Sequence, residues 1–166
     1  MFEYAILLTF PALVAFGGAY DLLTMTIPNR VSIALVALFL IVALLAGLSA
    51  QQILMHLACG VALLAVGIFL FALGGFGGGD AKLIAAAGLW LGPALILPYL
   101  LYITLFGGLL ALAILKFRSM PITGVLAPEW AQRLHGRING IPYGIAIASA
   151  ALIVFPSTPV FLAALR

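Results

Sequence analysis

The stretch Phe76-Gly77-Gly78-Gly79-Asp80-Ala81-Lys82-Leu83 (FGGGDAKL) interrupts a chain of 166 residues that is 66% hydrophobic. It separates two apolar segments, at about 53–73 and 83–97. Glycine gives a helix little support, and an aspartate is costly beside hydrocarbon. Two interpretations are open. The stretch is a turn whose aspartate caps the next helix, or it presents a carboxylate for chemistry.

The composition around this stretch determines the class of protein. Only 7% of the residues are charged, and the mean hydropathy is +1.35. A soluble domain of this size could not cover itself with so little polar surface, so we expect an integral membrane protein. No long hydrophilic segment is present, which predicts a single membrane-embedded domain over residues 1–166. The net charge of +3 does not suggest a nucleic-acid partner, because the basic residues are few and lie beside apolar segments.

Apolar segments long enough to cross a bilayer predict an all-α, polytopic protein. A spanning helix needs about 20 mostly apolar residues, and an open sheet edge cannot satisfy its backbone in lipid. Gly92-Pro93 and Pro98 separate the fourth span from the fifth, and Pro128–His135 is a candidate interfacial helix. The six predicted spans are 4–20, 31–48, 53–73, 83–97, 98–117 and 141–162.

The basic residues predict the orientation of these spans. Alternation places the loops 21–30, 74–82 and 118–140 on one side of the membrane. Since basic loops face the cytoplasm, both termini are expected outside. The N-terminus lacks a positive n-region, so 4–20 is expected to remain as a span. Six of the seven basic residues belong to the cytoplasmic side, with Arg166 on the other: Arg30, Lys82, Lys116, Arg118, Arg133 and Arg137.

The only two aspartates of the chain are Asp21 and Asp80, each predicted at the cytoplasmic end of a span. Asp80 alone is as consistent with a helix N-cap as with a functional role. Asp21 follows the first span, where a carboxylate opposes the helix dipole. Its structural alternatives are solvation or a salt bridge to Arg30 or Lys82. Ionisable residues at membrane depth are candidates for function.

Two carboxyl groups that meet would have a specific chemistry. They share one proton, so the ionised group can activate water while the protonated group donates to the developing oxyanion. Such a mechanism requires no metal and no cofactor. Gly77, Gly78 and Gly79 would then form the floor of a cleft and let an extended substrate backbone approach Asp80.

The sequence Gly77-Gly78-Gly79-Asp80 fits the Gly-x-Gly-Asp motif of membrane aspartyl proteases, and the chain resembles the type IV prepilin peptidases. The resemblance also includes Asp21 followed by Ile27-Pro28-Asn29, and Ile141-Pro142-Tyr143-Gly144 at the start of the last span. It implies that Asp21 and Asp80 are the catalytic pair. It also implies cleavage of leaders from prepilin or pseudopilin precursors, at the cytoplasmic side of a bacterial inner membrane.

The link between the first two predicted spans is only about ten residues long. Long members of that family resemble bifunctional enzymes, with a cysteine-bearing cytoplasmic domain at this point and an N-methyltransferase activity. The chain is more similar to the short branch that serves Tad/Flp-type pili. The resemblance therefore predicts cleavage without methylation.

Several residues and functions keep more than one interpretation. Lys82 would either lower the pKa of an aspartate or bind a lipid phosphate, and Asn29 would begin a helix or orient a carboxylate. His56 is expected to be a packing residue. No substrate-binding residues can be identified. The main alternative function is a small proton-coupled transporter or channel that uses the same aspartates, and a third is a non-catalytic assembly factor.

Overall fold

A computed structural model describes residues 2–120, 128–136 and 140–164, and it is helical with no strand within these ranges, which confirms the all-α class. Arg137 and Arg166 lie outside the described residues. Short 3₁₀ turns cover Pro93–Leu95 and Phe155–Ser157. The α-helices are α1 Phe2–Thr24, α2 Asn29–Leu45, α3 Ala50–Ala72, α4 Gly78–Leu91, α5 Ile96–Ser119, α6 Glu129–His135, α7 Gly144–Val154 and α8 Pro159–Ala164.

Two stretches of the described chain are long and apolar enough to cross a membrane, Ala50–Ala72 and Pro93–Ser119. Three further apolar helical stretches are shorter, at Leu8–Thr24, Asn29–Leu45 and Gly144–Ser157. The number of spans and the side on which the N-terminus lies therefore stay predictions.

Several helix boundaries differ from the sequence-based prediction. Gly92 has φ +74°, a backbone conformation that ends α4 at Leu91 rather than near 97. Pro98 belongs to the first turn of α5, where a missing N–H costs nothing. Asp21 lies in the last turn of α1, because that helix continues to Thr24 instead of ending at 20.

The last predicted span, 141–162, is divided in the structure. Its first helix ends at Val154, a 3₁₀ turn containing Pro156 follows, and α8 begins at Pro159. Proline removes a backbone donor and clashes with the preceding turn, so it interrupts a regular helix here. The predicted short helix near residue 130 is present as α6. Its location at a membrane interface stays a prediction.

The central helix is α4, which is buried from Leu83 to Leu91 and packs against α2, α3 and α7. Because it is apolar on every side, it can be enclosed by other helices. Trp90 packs in tilted and edge-on contacts with aromatic rings of the core, and its Nε1–H donates to the Leu35 carbonyl at 2.8 Å. Helix α3 approaches closely at Gly67, where an added Cβ would lie 2.7 Å from the Ala81 Cβ.

The crossing of α1 and α7 determines the location of the first aspartate. A Cβ on Gly18 would lie 2.8 Å from the Ala148 Cβ and 2.9 Å from the Gly144 carbonyl oxygen, so only glycine permits this approach. One turn further along α1, Asp21 therefore reaches the first residue of α7.

Candidate active site

Asp21 lies at the junction between the end of α1 and the start of α7, and its side chain is only 5% exposed. Its Oδ2 accepts a hydrogen bond from the Gly144 N–H at 2.8 Å. Gly144 is the first residue of α7, and N–H groups in the first turn have no partner within their own helix. A carboxylate at the C-terminal end of α1 is unfavourable because it opposes the dipole of that helix. The N-terminus of α7, whose first N–H points at Asp21, offsets this cost.

The sequence Ile141-Pro142-Tyr143-Gly144 brings this N–H to Asp21. A Cβ on Gly144 would lie 2.8 Å from both the Cβ and the Oδ2 of Asp21, so any side chain there would displace the carboxylate. Tyr143 packs its ring against α5 at Gly107, where a Cβ would lie 2.7 Å from Cε1. Sequence reasoning noted this motif only as part of a resemblance. It assigned no role to Gly144, although a glycine directly after Pro-Tyr at the start of a span is a signal of close approach.

Asp80 occupies the third position of α4, whose N-cap residue is Gly77. The aspartate is therefore inside the first turn and is not the N-cap, and the N-cap makes no side-chain hydrogen bond. A side chain at position 77 would overlap the Asp80 carboxylate, which explains the glycine at this position.

The other two glycines of the opening stretch lie apart from the carboxylate. A Cβ on Gly78 would meet the Phe71 ring at 3.4 Å, and one on Gly79 would meet the Ile27 Cβ at 3.2 Å. Neither glycine lines the cavity that contains Asp80. Of the three, Gly77 alone contributes to the expected cleft floor.

Asp21 and Asp80 line the same cavity, which has a volume of about 900 Å³. Its walls come from the end of α1, the loop before α4, the middle of α5 and residues 140–143. Gly74, Gly75 and Gly140 expose backbone to it, and most of the remaining wall is apolar. Cavities of about 300–1,000 Å³ are typical of small-molecule binding sites. The arrangement places two acidic groups in the wall of one cavity of this size.

The two aspartates, which lie outside the predicted spans 4–20 and 83–97, differ in how their charge is stabilised. Burial, and to a lesser extent the nearby charge of Asp21, together raise the pKa of Asp80 to about 7. Burial also raises the pKa of Asp21, but the Gly144 N–H favours its ionised form and lowers that pKa in part. A pKa of about 7 keeps a substantial fraction of Asp80 protonated near neutral pH.

Lys82 and Asn29, the expected supporting residues, lie away from the aspartates. The Lys82 Nζ donates to the Asn29 Oδ1 at 2.9 Å, and the pair lines a different surface groove. Among the residues that the structure describes, neither aspartate has an ion-pair partner. His56 is buried, and its Nδ1 donates to the Leu89 carbonyl at 2.7 Å, which agrees with a packing role.

Comparison with known proteins gives one match. The sequence pattern of the type IV leader peptidase family matches residues 8–113. This match covers more than half of the chain and includes both aspartates. No curated protein and no solved structure matches the chain. Gly144, the hydrogen-bond partner of Asp21, lies beyond the matched residues.

Proposed function

This chain belongs to the type IV leader peptidase family, and on that basis we propose that it is an aspartyl endopeptidase in which Asp21 and Asp80 form the catalytic pair. Family membership makes it a leader-peptidase-type protease. The observation that supports the aspartic mechanism is that both carboxyl groups line one cavity, with the pKa of Asp80 raised to about 7 beside the charge of Asp21.

The proposed reaction uses the two carboxyl groups as a proton pair. Ionised Asp21 takes a proton from a water molecule, whose oxygen attacks the peptide carbonyl carbon, while Asp80 donates its proton to the carbonyl oxygen. The resulting diol collapses as Asp21 protonates the leaving amine and Asp80 takes back a hydroxyl proton. Both aspartates return to their starting states, so no metal or covalent intermediate is required.

The proposed substrates are prepilin-like precursors of the Flp type. Such a precursor would keep a positive leader in the cytoplasm and an apolar helix in the bilayer. Under the predicted orientation, the cavity lies on the side of the basic loops, at the cytoplasmic face of a bacterial inner membrane. The predicted multi-pass topology would hold the precursor's helix beside the enzyme and its cleavage site at membrane depth.

The short connection between α1 and α2 supports cleavage without methylation. Only residues 25–28 separate the two helices. That length cannot hold the extra cytoplasmic domain of the long family members. The alternative of a proton-coupled transporter is not favoured, because the matched family is one of peptidases.

The test is cleavage of a purified precursor by Asp21→Asn and Asp80→Asn variants. Asparagine keeps the size of the side chain but cannot exchange the proton, so each change should abolish cleavage. The double variant should be no worse than either single one, because the two groups act as a unit. Mass spectrometry of the product N-terminus measures the cleavage and would also reveal a methyl group.

Glu129→Gln is the matched control, since it removes a carboxylate that is exposed on α6. It should leave cleavage unchanged, and chelators should have no effect. Near-normal cleavage by Asp80→Asn would refute the aspartic mechanism. A methyl group that depends on this chain alone would refute the absence of methyltransferase activity.

A further inference from the structure

A second cavity, which we call the α2–α4 groove, lies on the opposite side of α4 from the aspartates and has a volume of about 760 Å³. Helices α2 and α3 both pack on α4 but make little contact with each other. They meet through the stacked rings of Phe39 and His56, whose centroids lie 5.3 Å apart. The groove is the space between them, with small residues of α4, Ala85 and Ala86, in its floor.

The walls of the groove are apolar except at one end. From Ser32 to Leu40 along α2 the groove extends for about 12 Å, at 1.5 Å per residue. The lining beyond Ser32 is entirely hydrocarbon and glycine. At the polar end, Lys82 and Asn29 form the hydrogen bond described above.

Ser32 provides an independent indication that this end receives a ligand. The residue is 8% exposed and lines the groove. Its hydroxyl has no hydrogen-bond partner among the residues that the structure describes. A buried hydroxyl without a partner costs free energy, so an acceptor that enters the groove would be favoured there.

The chemistry of this end favours an anion attached to an apolar chain. Lys82 has three donors, of which Asn29 uses one, and Ser32 adds a hydroxyl donor one turn of α2 away from Asn29. No carboxylate lines the groove within the described residues. A phosphate would accept from both residues while its attached chain covers the hydrocarbon walls.

We propose that the α2–α4 groove binds one anionic phospholipid, with its phosphate at Lys82 and Ser32 and an acyl chain along α2 and α3. This inference rests on the chain being embedded in a membrane and does not depend on the aspartic mechanism. A bilayer supplies both parts of the ligand at the depth where the predicted cytoplasmic ends of these helices lie. A lipid phosphate in the groove also gives Lys82 a binding partner on the side of α4 that faces away from Asp80.

The test is native mass spectrometry of the delipidated protein, with phosphatidylglycerol or phosphatidylcholine of identical acyl chains added. Wild type should retain one phosphatidylglycerol about tenfold more strongly than phosphatidylcholine, because the choline ammonium of the latter offsets the phosphate charge and is repelled by Lys82. Lys82→Gln should remove this preference, and Ser32→Ala should weaken retention. Ala37→Trp should block binding, since Ala37 lines the groove and is exposed.

Two matched controls separate the groove from general surface effects. Lys116→Gln removes an exposed cation, and Ala113→Trp adds bulk to an exposed position, and neither residue lines the groove. Both variants should retain lipid as wild type does. Asp21→Asn should also bind lipid normally, so that failure of this proposal can be told apart from failure of the aspartic mechanism.

Three results would overturn the proposal. Equal retention of both lipids, or equal loss in the control variants, would mean that the lipid is only a non-specific neighbour. Displacement by glycerol phosphate without acyl chains would identify a site for free anions. Displacement by the apolar helix of a precursor would identify the groove as a protein-docking surface.

Discussion

Asp21 and Asp80 have the same type of side chain, but their surroundings affect the two carboxyl pKa values differently. Asp21 receives the Gly144 N–H, whereas no hydrogen bond to the Asp80 side chain occurs within the described part of the chain. A hydrogen bond to the ionised form lowers a carboxyl pKa, and burial raises it. The proposal that Asp21 acts as the base and Asp80 as the acid rests on this difference.

We predict a bell-shaped dependence of kcat/KM on pH. Cleavage should decline as pH rises through about 7, because Asp80 then loses the proton that it must donate. It should also decline in acid as Asp21 becomes protonated, and burial raises the pKa of Asp21 above its ordinary value. Steady-state cleavage measured between about pH 4 and 9 tests both limbs. Constant activity up to pH 9 would contradict the assignment of Asp80 as the acid.

The pH dependence of thermal unfolding gives an independent test of the raised pKa of Asp80. Since the pKa of Asp80 is raised by folding, ionisation of this group destabilises the folded state as pH increases from 3.8 to about 7. Asp80→Asn should therefore stabilise the protein relative to wild type more at pH 8 than at pH 5.

We predict that Gly144→Ala abolishes most cleavage. The added methyl group would collide with Asp21 and displace its carboxylate from the backbone N–H. Gly108→Ala is the matched control, because Gly108 lines the same cavity but a Cβ there meets nothing within 4 Å. Cleavage assays on the two variants should differ strongly. Similar activity of both would show that the position of Asp21 does not depend on Gly144.

At the scale of elements, α4 is the helix that brings the second aspartate into position. It has only 14 residues, but it is enclosed by α2, α3 and α7. Small residues on α3 let the two helices approach closely, as small residues do between helices in membranes. Asp80 lies in the first turn of this helix, so its position depends on how α4 packs.

We predict that Gly67→Val destabilises the protein by about 1–3 kcal/mol, the usual cost of overpacking a tight interface. Its new side chain would meet Ala81 directly, and Ala81 follows Asp80. The free energy of unfolding in detergent is the measurement. Ala65→Val places the same side chain on an exposed position of α3 and should have little effect. Equal losses in both variants would exclude a specific role for the α3–α4 contact.

At the scale of the whole molecule, the charged residues of the described chain are concentrated at one end of the helix bundle. The aspartate cavity and the polar end of the α2–α4 groove both lie near the ends of helices that carry basic residues. If these ends face the cytoplasm, one face of the protein contains both the proposed catalytic site and the proposed lipid site.

We predict that an impermeant thiol reagent distinguishes the two faces in intact cells. In a Cys59→Ala background, Arg30→Cys should be labelled only after lysis, because it lies on the expected cytoplasmic side. Gln51→Cys should be labelled without lysis, since Gln51 is exposed at the opposite end of α2 and α3. Labelling of Arg30→Cys from outside would invert the predicted orientation.

The sequence by itself determined the properties that depend on local composition. Apolar segments of helical length predicted the all-α class, and Gly92-Pro93 predicted a break between two of these segments. The only two aspartates of the chain were identified as the candidate acidic pair. Each of these inferences needs only neighbouring residues, because hydropathy, helix breaking and residue identity are local properties.

Only the tertiary structure decided how these residues are used. The bond from Gly144 to Asp21 joins residues 123 positions apart, and the partner of Lys82 is 53 positions away. The protonation of a carboxyl group depends on its desolvation and on donors brought from other helices, and packing alone sets both. For the same reason the sequence left Lys82 open between an aspartate and a lipid, whereas the fold places it on the far side of α4.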